Sequence, residues 1–209
     1  MDQGLELKKI ADAVSTCKKC ELCHSREKGV PGEGPPNAEI MFIGEGPGFH
    51  ENMQGRPFVG AAGDLLVELL DGIGITREQV FITNVVKCRP PGNRDPYPEE
   101  LASCNPYLDR QLQIINPKVI VTLGRFSMAR FIEQTKISEI HGQPVKVKGM
   151  LVVPFFHPAA ALHRPSLRPV VEEDFAKLPG LIKNAQQTPV YKPADQIEDD
   201  IKAEQLSLF

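Results

Sequence analysis

Two groups of side chains in this sequence have types and spacing suited to chemistry: a set of thiols, and carboxylate, amide and imidazole groups at the ends of apolar runs. Cys17-x2-Cys20 precedes the first apolar run, while Cys88 and Cys104 follow the second with fifteen residues between them. Four thiols from two segments suit either a tetrahedral zinc ion or a [4Fe-4S] cluster. The spacing lacks the doubled C-x-x-C of a zinc ribbon, which favours the cluster. Lys18, Lys19, Lys87 and Arg89 flank the thiols and would offset the charge of four thiolates. Cys23 is left without a role.

The second group opens in EIMFIGEGPGFHENMQGRPFVG, residues 39–60, where an apolar strand runs into a glycine-rich turn carrying Glu45 and Glu51. The residues argue against a phosphate site. No Lys-Ser or Lys-Thr follows, as a P-loop requires, and Pro47-Gly48 stands where a dinucleotide fingerprint would continue. Both carboxylates would also repel a pyrophosphate. The glycines let backbone approach something closely, and that something is not an anion.

The elements that must position these groups can be read from periodicity. Residues 40–43, 80–86, 118–124 and 150–158 are apolar runs of strand length. Helical spacing links Leu5, Ile10 and Val14, then Leu65, Leu66, Leu69, Leu70 and Ile73. A helix follows Pro98 through Leu108 and Leu112, another runs through Phe126 and Phe131, and a last one covers roughly residues 170–183. Strands alternating with helices predict an α/β fold, a three-layer α/β/α sandwich around a mainly four-stranded parallel sheet. Ligands of such sheets bind beyond the carboxyl ends of the strands. Residues 44–48, Asn84 and His157 all fall there, so one rim is expected to carry them.

The chain has 209 residues, 41% hydrophobic and 24% charged, which fits one soluble domain. No apolar run approaches the roughly 18 residues of a membrane span, and the first residues lack a signal peptide's apolar stretch. A cytoplasmic monomer with no membrane contact is expected, and cysteines in that compartment serve metals or clusters more often than disulfides. The formal net charge of −3 is carried by residues 184–209, where Lys192 and Lys202 face five carboxylates. The rest is neutral overall, yet Arg89 and Arg94 share one loop and His163, Arg164 and Arg168 another, a local basic face for nucleic acid.

The motifs GEGPG…E…GRPFVG, ITNVVKCRPPGNR and FFHP, with C-x-x-C-x-L and the two later cysteines, closely resemble the family 4 uracil-DNA glycosylases. These are iron–sulfur members of the uracil-DNA glycosylase superfamily, and the resemblance runs from about Cys17 to Lys183. It implies base-excision repair: a uracil flipped out of DNA into a shaped pocket and cut from its sugar to leave an abasic site. It implies that Phe58 stacks on the ring, that Asn84 reads O4 and N3–H, and that backbone near Gly46 approaches O2. His157 would stabilise the departing uracil anion. Glu45 or Glu51 would orient water or stabilise the cationic sugar, because Gly46 stands where better-known superfamily members carry an aspartate. Glu51 could instead crowd thymine's methyl. The segment 157–165 aligns with a DNA-penetrating loop, in which Leu162 would fill the vacated helix and His163 and Arg164 would meet phosphates. The turn departs from the usual pattern at Phe49, His50 and Asn52, which leaves a catalytically weak uracil-binding iron–sulfur sensor as the alternative, with an electron-transfer module as a third reading.

Residues 1–183 are thus expected to form the glycosylase domain with its cluster. Residues 184–204 are polar, acidic and proline-containing, a disordered linker. Gln205, Leu206, Leu208 and Phe209 close the chain and resemble the peptide by which bacterial proteins bind the sliding clamp of replication.

Overall fold

The structure is a computed structural model and describes residues 2–132 and 135–185. In chain order the main elements are α1 Gln3–Ser15, β1 Ile40–Gly44, α2 Phe49–Gln54, α3 Ala61–Asp71, β2 Phe81–Asn84, α4 Pro98–Ile115, β3 Val119–Leu123, α5 Arg125–Ala129, α6 Ile137–Ile140, β4 Val145–Val147, β5 Met150–Phe155, α7 Pro158–His163 and α8 Arg168–Asn184. The sheet order is β2-β1-β3-β5-β4. Its first four strands are parallel, as the sequence predicts.

Strand residues alternate between two cores because successive side chains point to opposite faces. Ile40 and Phe42 pack with Leu66 and Leu70 of α3 and with Phe175 and Leu178 of α8. Met41 and Ile43 pack on the other face with Leu108, Leu112 and Ile115 of α4. With both faces covered, the strands read as unbroken apolar runs rather than alternating ones. Phe175 stacks on Phe42 at 5.9 Å and 11°, joining α8 to the sheet centre.

Several features differ from the sequence reading, among them the helix expected through Phe126 and Phe131, which ends at Ala129. The sheet has a fifth strand, β4, antiparallel to β5 through a tight turn with Lys148 and Gly149 both at positive φ. Only three half-exposed residues long, it carries too little pattern to be seen. The segment 158–163, expected to be a loop, is the short helix α7, started by Pro158 at its first position. The last helix, expected over roughly residues 170–183, runs Arg168–Asn184. The rest of the linker and the clamp-type peptide, residues 186–209, lie outside the described residues. Among those described, no helix is long and apolar enough to cross a membrane.

Parallel register levels the strand ends. Gly44 pairs with Asn84 across β1 and β2, and Leu123 with Phe155 across β3 and β5. From β1 the chain goes outward first to β2 on one side and then to β3 on the other, so β1 lies at the switch point where such sheets bind ligands.

Candidate active site

At that switch point a cavity of about 430 Å³ opens, lined by Glu45, Gly46, Glu51, Phe58, Asn84 and His157 among others. Asn84 and His157, separated by 73 positions in the chain, therefore face one space. Asn84 is 1% exposed, yet its Oδ1 has no hydrogen-bond partner. A buried acceptor left unsatisfied costs about 1–3 kcal/mol, so its position is that of a group awaiting a donor. Gly44 makes this possible: a Cβ there would stand 2.5 Å from Asn84 Oδ1 and 2.8 Å from the Phe58 ring.

The Phe58 ring lies 5.4 Å from His157, nearly parallel at 24°. His157 is the N-cap of α7, and its Nδ1 accepts the amide of Ala159 at 3.1 Å. That bond fixes the neutral ring with its proton on Nε2. Burial lowers the His157 pKa to about 4 against the opposing charge of Glu51, so the ring is neutral at physiological pH.

The two glutamates differ. Glu51 Oε1 accepts the amides of Val59 at 2.9 Å and Gly60 at 3.1 Å, which pins α2 to the segment carrying Phe58. No hydrogen bond or ion pair among the described residues holds the Glu45 carboxylate. Burial raises its pKa, the Asp95 charge raises it further, and Arg125 opposes both. Glu45 is thus a cavity carboxylate made more basic by its surroundings. Gly46 cannot carry a side chain without displacement, since a Cβ would meet Val86 Cγ2 at 2.7 Å.

The basic rim is only partly free. Arg94 lines the cavity, but its terminal nitrogens bond both oxygens of Glu100 at 2.8 and 2.7 Å. That partner holds the Glu100 pKa below the usual range. Arg89 donates to Asn93 Oδ1 at 2.8 Å and lies 5.4 Å from the exposed Phe49 ring. Leu162 is 44% exposed on α7, beside exposed His163 and Arg164, and His163 also lines the cavity. The unusual Asn52 is structural: it is buried, and its Oδ1 accepts the Glu27 amide at 3.0 Å.

Cys17, Cys20, Cys88 and Cys104 line one small second cavity, and Cys23 lines it too. All five are free. No group of three or more His, Cys, Asp or Glu among the described residues stands ready to hold a metal ion. The donor set is soft, with no carboxylate or imidazole on the lining, which suits iron–sulfur or zinc chemistry. Burial pushes the Cys104 thiol up to about 11 and raises Cys88 as well. The sulfurs receive donors: Arg26 Nη1 to Cys88 Sγ at 3.0 Å, and the Lys87 amide to Cys104 Sγ at 3.4 Å. Arg26 carries no spacing signal that could reveal this.

Lys87 needs a correction. Its ammonium is not committed to the thiols but is 1% exposed, donating to Thr83 Oγ1 at 2.6 Å, Gln111 Oε1 at 2.8 Å and the Asn84 carbonyl at 2.8 Å. Burial lowers its pKa to about 7. Lys87 directly follows the apolar run 80–86 and precedes Cys88 and Arg89, and nothing in that context marks its ammonium as buried.

The sequence profile of the family described as the uracil DNA glycosylase superfamily matches residues 31–178. The type-4 uracil-DNA glycosylase of Sulfurisphaera tokodaii is 53% identical, over 82% of this chain and 83% of its own. That of Archaeoglobus fulgidus is 49% identical, over 86% and 94%, and that of Thermotoga maritima 47%, over 83% and 93%. With a pocket at the switch point, an unsatisfied amide at its base and these relatives, the chain belongs to the type-4 uracil-DNA glycosylases of the uracil-DNA glycosylase superfamily.

Proposed function

We propose that this enzyme removes uracil from DNA in base-excision repair by everting the base into the 430 Å³ cavity and hydrolysing its N-glycosidic bond, leaving an abasic site without cutting the strand. The observation that carries the reading is the unsatisfied, buried Asn84 Oδ1 sharing a cavity with a neutral His157. Uracil N3–H meets Oδ1, and the amide nitrogen donates to O4. Cytosine offers neither partner in that orientation. Phe58 stacks on the ring, and backbone near Gly46 approaches O2.

The C1′–N1 bond breaks with its electron pair leaving on uracil. His157 Nε2–H donates to O2, where that charge collects. A water oxygen bonds to C1′ and gives a proton to Glu45, which passes it to solvent or to the released base. Glu51 holds the Phe58 segment by its two backbone bonds and bounds the C5 side, where thymine carries its methyl. Leu162 fills the vacated helix, and Arg89, His163 and Arg164 meet phosphates, while Arg94 shapes the cavity lip.

Incubating the protein with a uracil-containing oligonucleotide and then with alkali tests the reading. Strand scission is expected; intact, retarded DNA would point to the sensor instead and overturn the proposal, as would DNA left both intact and unretarded.

A pH prediction follows from Glu45. Its carboxylate must be ionised to accept the proton, and its pKa is raised, so kcat/KM is expected to fall with acidification through a limb above 4.5. Asp95→Asn removes a repelling charge and frees Arg125 from its 2.5 Å ion pair. Both effects favour the ionised form, so the limb moves to lower pH. A limb that stays put in Asp95→Asn takes Glu45 out of the proton path.

Cys17, Cys20, Cys88 and Cys104 would hold a [4Fe-4S] cluster, with zinc as the alternative. When bound it would supply a cross-link between the segment after α1 and the loop carrying Arg89 and Arg94. The Arg26 and Lys87 donors to sulfur support an anionic cluster. Brown colour with broad visible absorbance separates it from zinc.

The enzyme acts as a cytoplasmic, nucleoid-associated monomer, tethered to the sliding clamp through Gln205, Leu206, Leu208 and Phe209, which raises its local concentration near new DNA. Deleting residues 205–209 abolishes clamp pull-down and leaves activity on short oligonucleotides intact; a truncated protein still captured by the clamp rules the tether out.

A further inference from the structure

We propose that Arg77, anchored by Glu33, is the positioning residue for the Phe58 stacking platform. The inference rests on the uracil-pocket reading and deepens it. Phe58 has φ +51°, a left-handed backbone that a bulky non-glycine residue holds only where its surroundings impose it. On its carbonyl side the segment is held by one guanidinium, while Glu51 holds the following amides of Val59 and Gly60. Arg77 Nη1 donates to the Phe58 carbonyl at 2.9 Å, and Nη2 donates to the Pro57 carbonyl at 2.5 Å. Two consecutive carbonyls are thereby aimed at one planar fork, which is incompatible with an extended chain at that point.

The fork is held in turn. Glu33 Oε1 accepts Arg77 Nε at 3.0 Å and Nη2 at 2.7 Å, and Arg56 closes the other side of the carboxylate. Burial works against the Glu33 charge, but Arg56 and Arg77 outweigh it and leave its pKa lowered. The backbone of Glu33 is fixed to Ile82 of β2 by mutual hydrogen bonds of 3.0 and 2.8 Å. The clamp therefore refers the platform to the same strand that carries Asn84. Room for the inward carbonyl comes from Gly63 of α3, where a Cβ would lie 2.1 Å from the Phe58 oxygen. Arg77 lines no part of the cavity and has no hydrogen bond to Asn84 or His157, so its direct link to the uracil site is the Phe58 carbonyl.

The test is a double-mutant cycle on the full chain, using Arg77→Met, Phe58→Ala and their combination. Affinity for a single-stranded oligonucleotide carrying a hydrolysis-resistant 2′-fluorinated deoxyuridine and for its thymine counterpart is read by fluorescence anisotropy, alongside Tm and KM and kcat on the cleavable uracil oligonucleotide. Arg77→Met is expected to weaken the uracil-over-thymine preference about tenfold, to raise KM more than it lowers kcat, and to add less than about twofold on top of Phe58→Ala. A merely structural arginine would lower Tm and leave the preference unmoved. An unchanged preference, or an equal loss in both backgrounds, overturns the proposal. Glu33→Gln keeps the guanidinium but weakens its anchor; should Arg77→Met not fold, this variant is read in the same way, with about a threefold loss expected and none overturning. Binding is measured without turnover, so a wild-type protein that distinguishes uracil yet leaves it uncut refutes the hydrolytic reading and not this one.

Discussion

Replacing His157 with alanine is expected to lower kcat on a uracil-containing oligonucleotide by about 10²–10³, the loss that follows removal of one preorganised donor worth about 2.7–4 kcal/mol. The argument rests on tautomer and charge. The Ala159 amide occupies Nδ1 at 3.1 Å, which leaves the ring proton on Nε2, and a pKa of about 4 keeps the ring neutral. A neutral donor can lower the energy of the uracil anion without first stabilising any charged ground state, so kcat bears the loss more than KM. The low pKa also sets a stability signature. Between about pH 6.5 and 4 the unfolded chain binds a proton that the folded ring refuses, so wild-type stability declines as pH falls through that window. His157→Ala lacks this contribution, so its decline over the window is shallower. Unfolding midpoints at several pH values, with single-turnover rates, check both halves. A rate within tenfold of wild type removes His157 from the chemistry, and a wild-type activity limb near 6.5 would mean that the ring titrates normally.

Much of this site was legible because its residues stand at strand ends, and strands buried on both faces show as plain apolar runs. Ile40 to Ile43 and Val119 to Leu123 needed no finer signal. Asn84 and His157 followed from the rule that parallel strands present their carboxyl ends to ligands. Four cysteines fell on one cavity because metal-type spacing is itself a sequence pattern. Elements shorter than two turns were not legible. Helices α2 and α7 have six residues each, too few to show a period of 3.6. Helix α7 still carried a cue in His157-Pro158, a capping residue followed by the proline favoured at a first helical position. Long-range polar partnerships left no trace at all. Arg77 meets Glu33 across 44 positions, and Arg26 meets Cys88 across 62. Arg94 and Glu100 are close in sequence, but that such a pair neutralises an arginine on the cavity lip depends on burial, which composition does not report. The division of labour between Glu45 and Glu51 is of the same kind. Glu45 stands in the turn after β1 and Glu51 in α2, and only Glu51 has backbone amides within reach of its carboxylate.

The second large effect concerns Asn84. Asn84→Asp is expected to reduce kcat/KM for uracil by about 10³ or more, because the amide contributes a donor to O4 and an acceptor to N3–H at once. An ionised aspartate keeps the acceptor, loses the donor and sets a negative charge against a base that itself becomes an anion. At 1% exposure that charge is also costly to hold, so part of the population neutralises it by taking up a proton. The ammonium of Lys87, bonded to the Asn84 carbonyl at 2.8 Å, pulls the other way and keeps the ionised form accessible. The residual activity is therefore expected to fall as pH rises, since only the protonated side chain can donate to O4. Wild type is expected to show the opposite slope on its acid side if Glu45 takes the proton as proposed. Asn84→Ala separates the two contributions: it removes the hydrogen bonds without adding charge, so its loss should be smaller, near 10², and should follow the wild-type pH trend. Gly44→Ala approaches the same site from across the sheet, with a Cβ 2.5 Å from Oδ1, and should reproduce the loss with the amide still present. Rates for all three on one oligonucleotide, measured across pH, decide the matter. An Asn84→Asp enzyme within tenfold of wild type, or one whose residual rate climbs with pH, would mean that uracil is read elsewhere in the cavity.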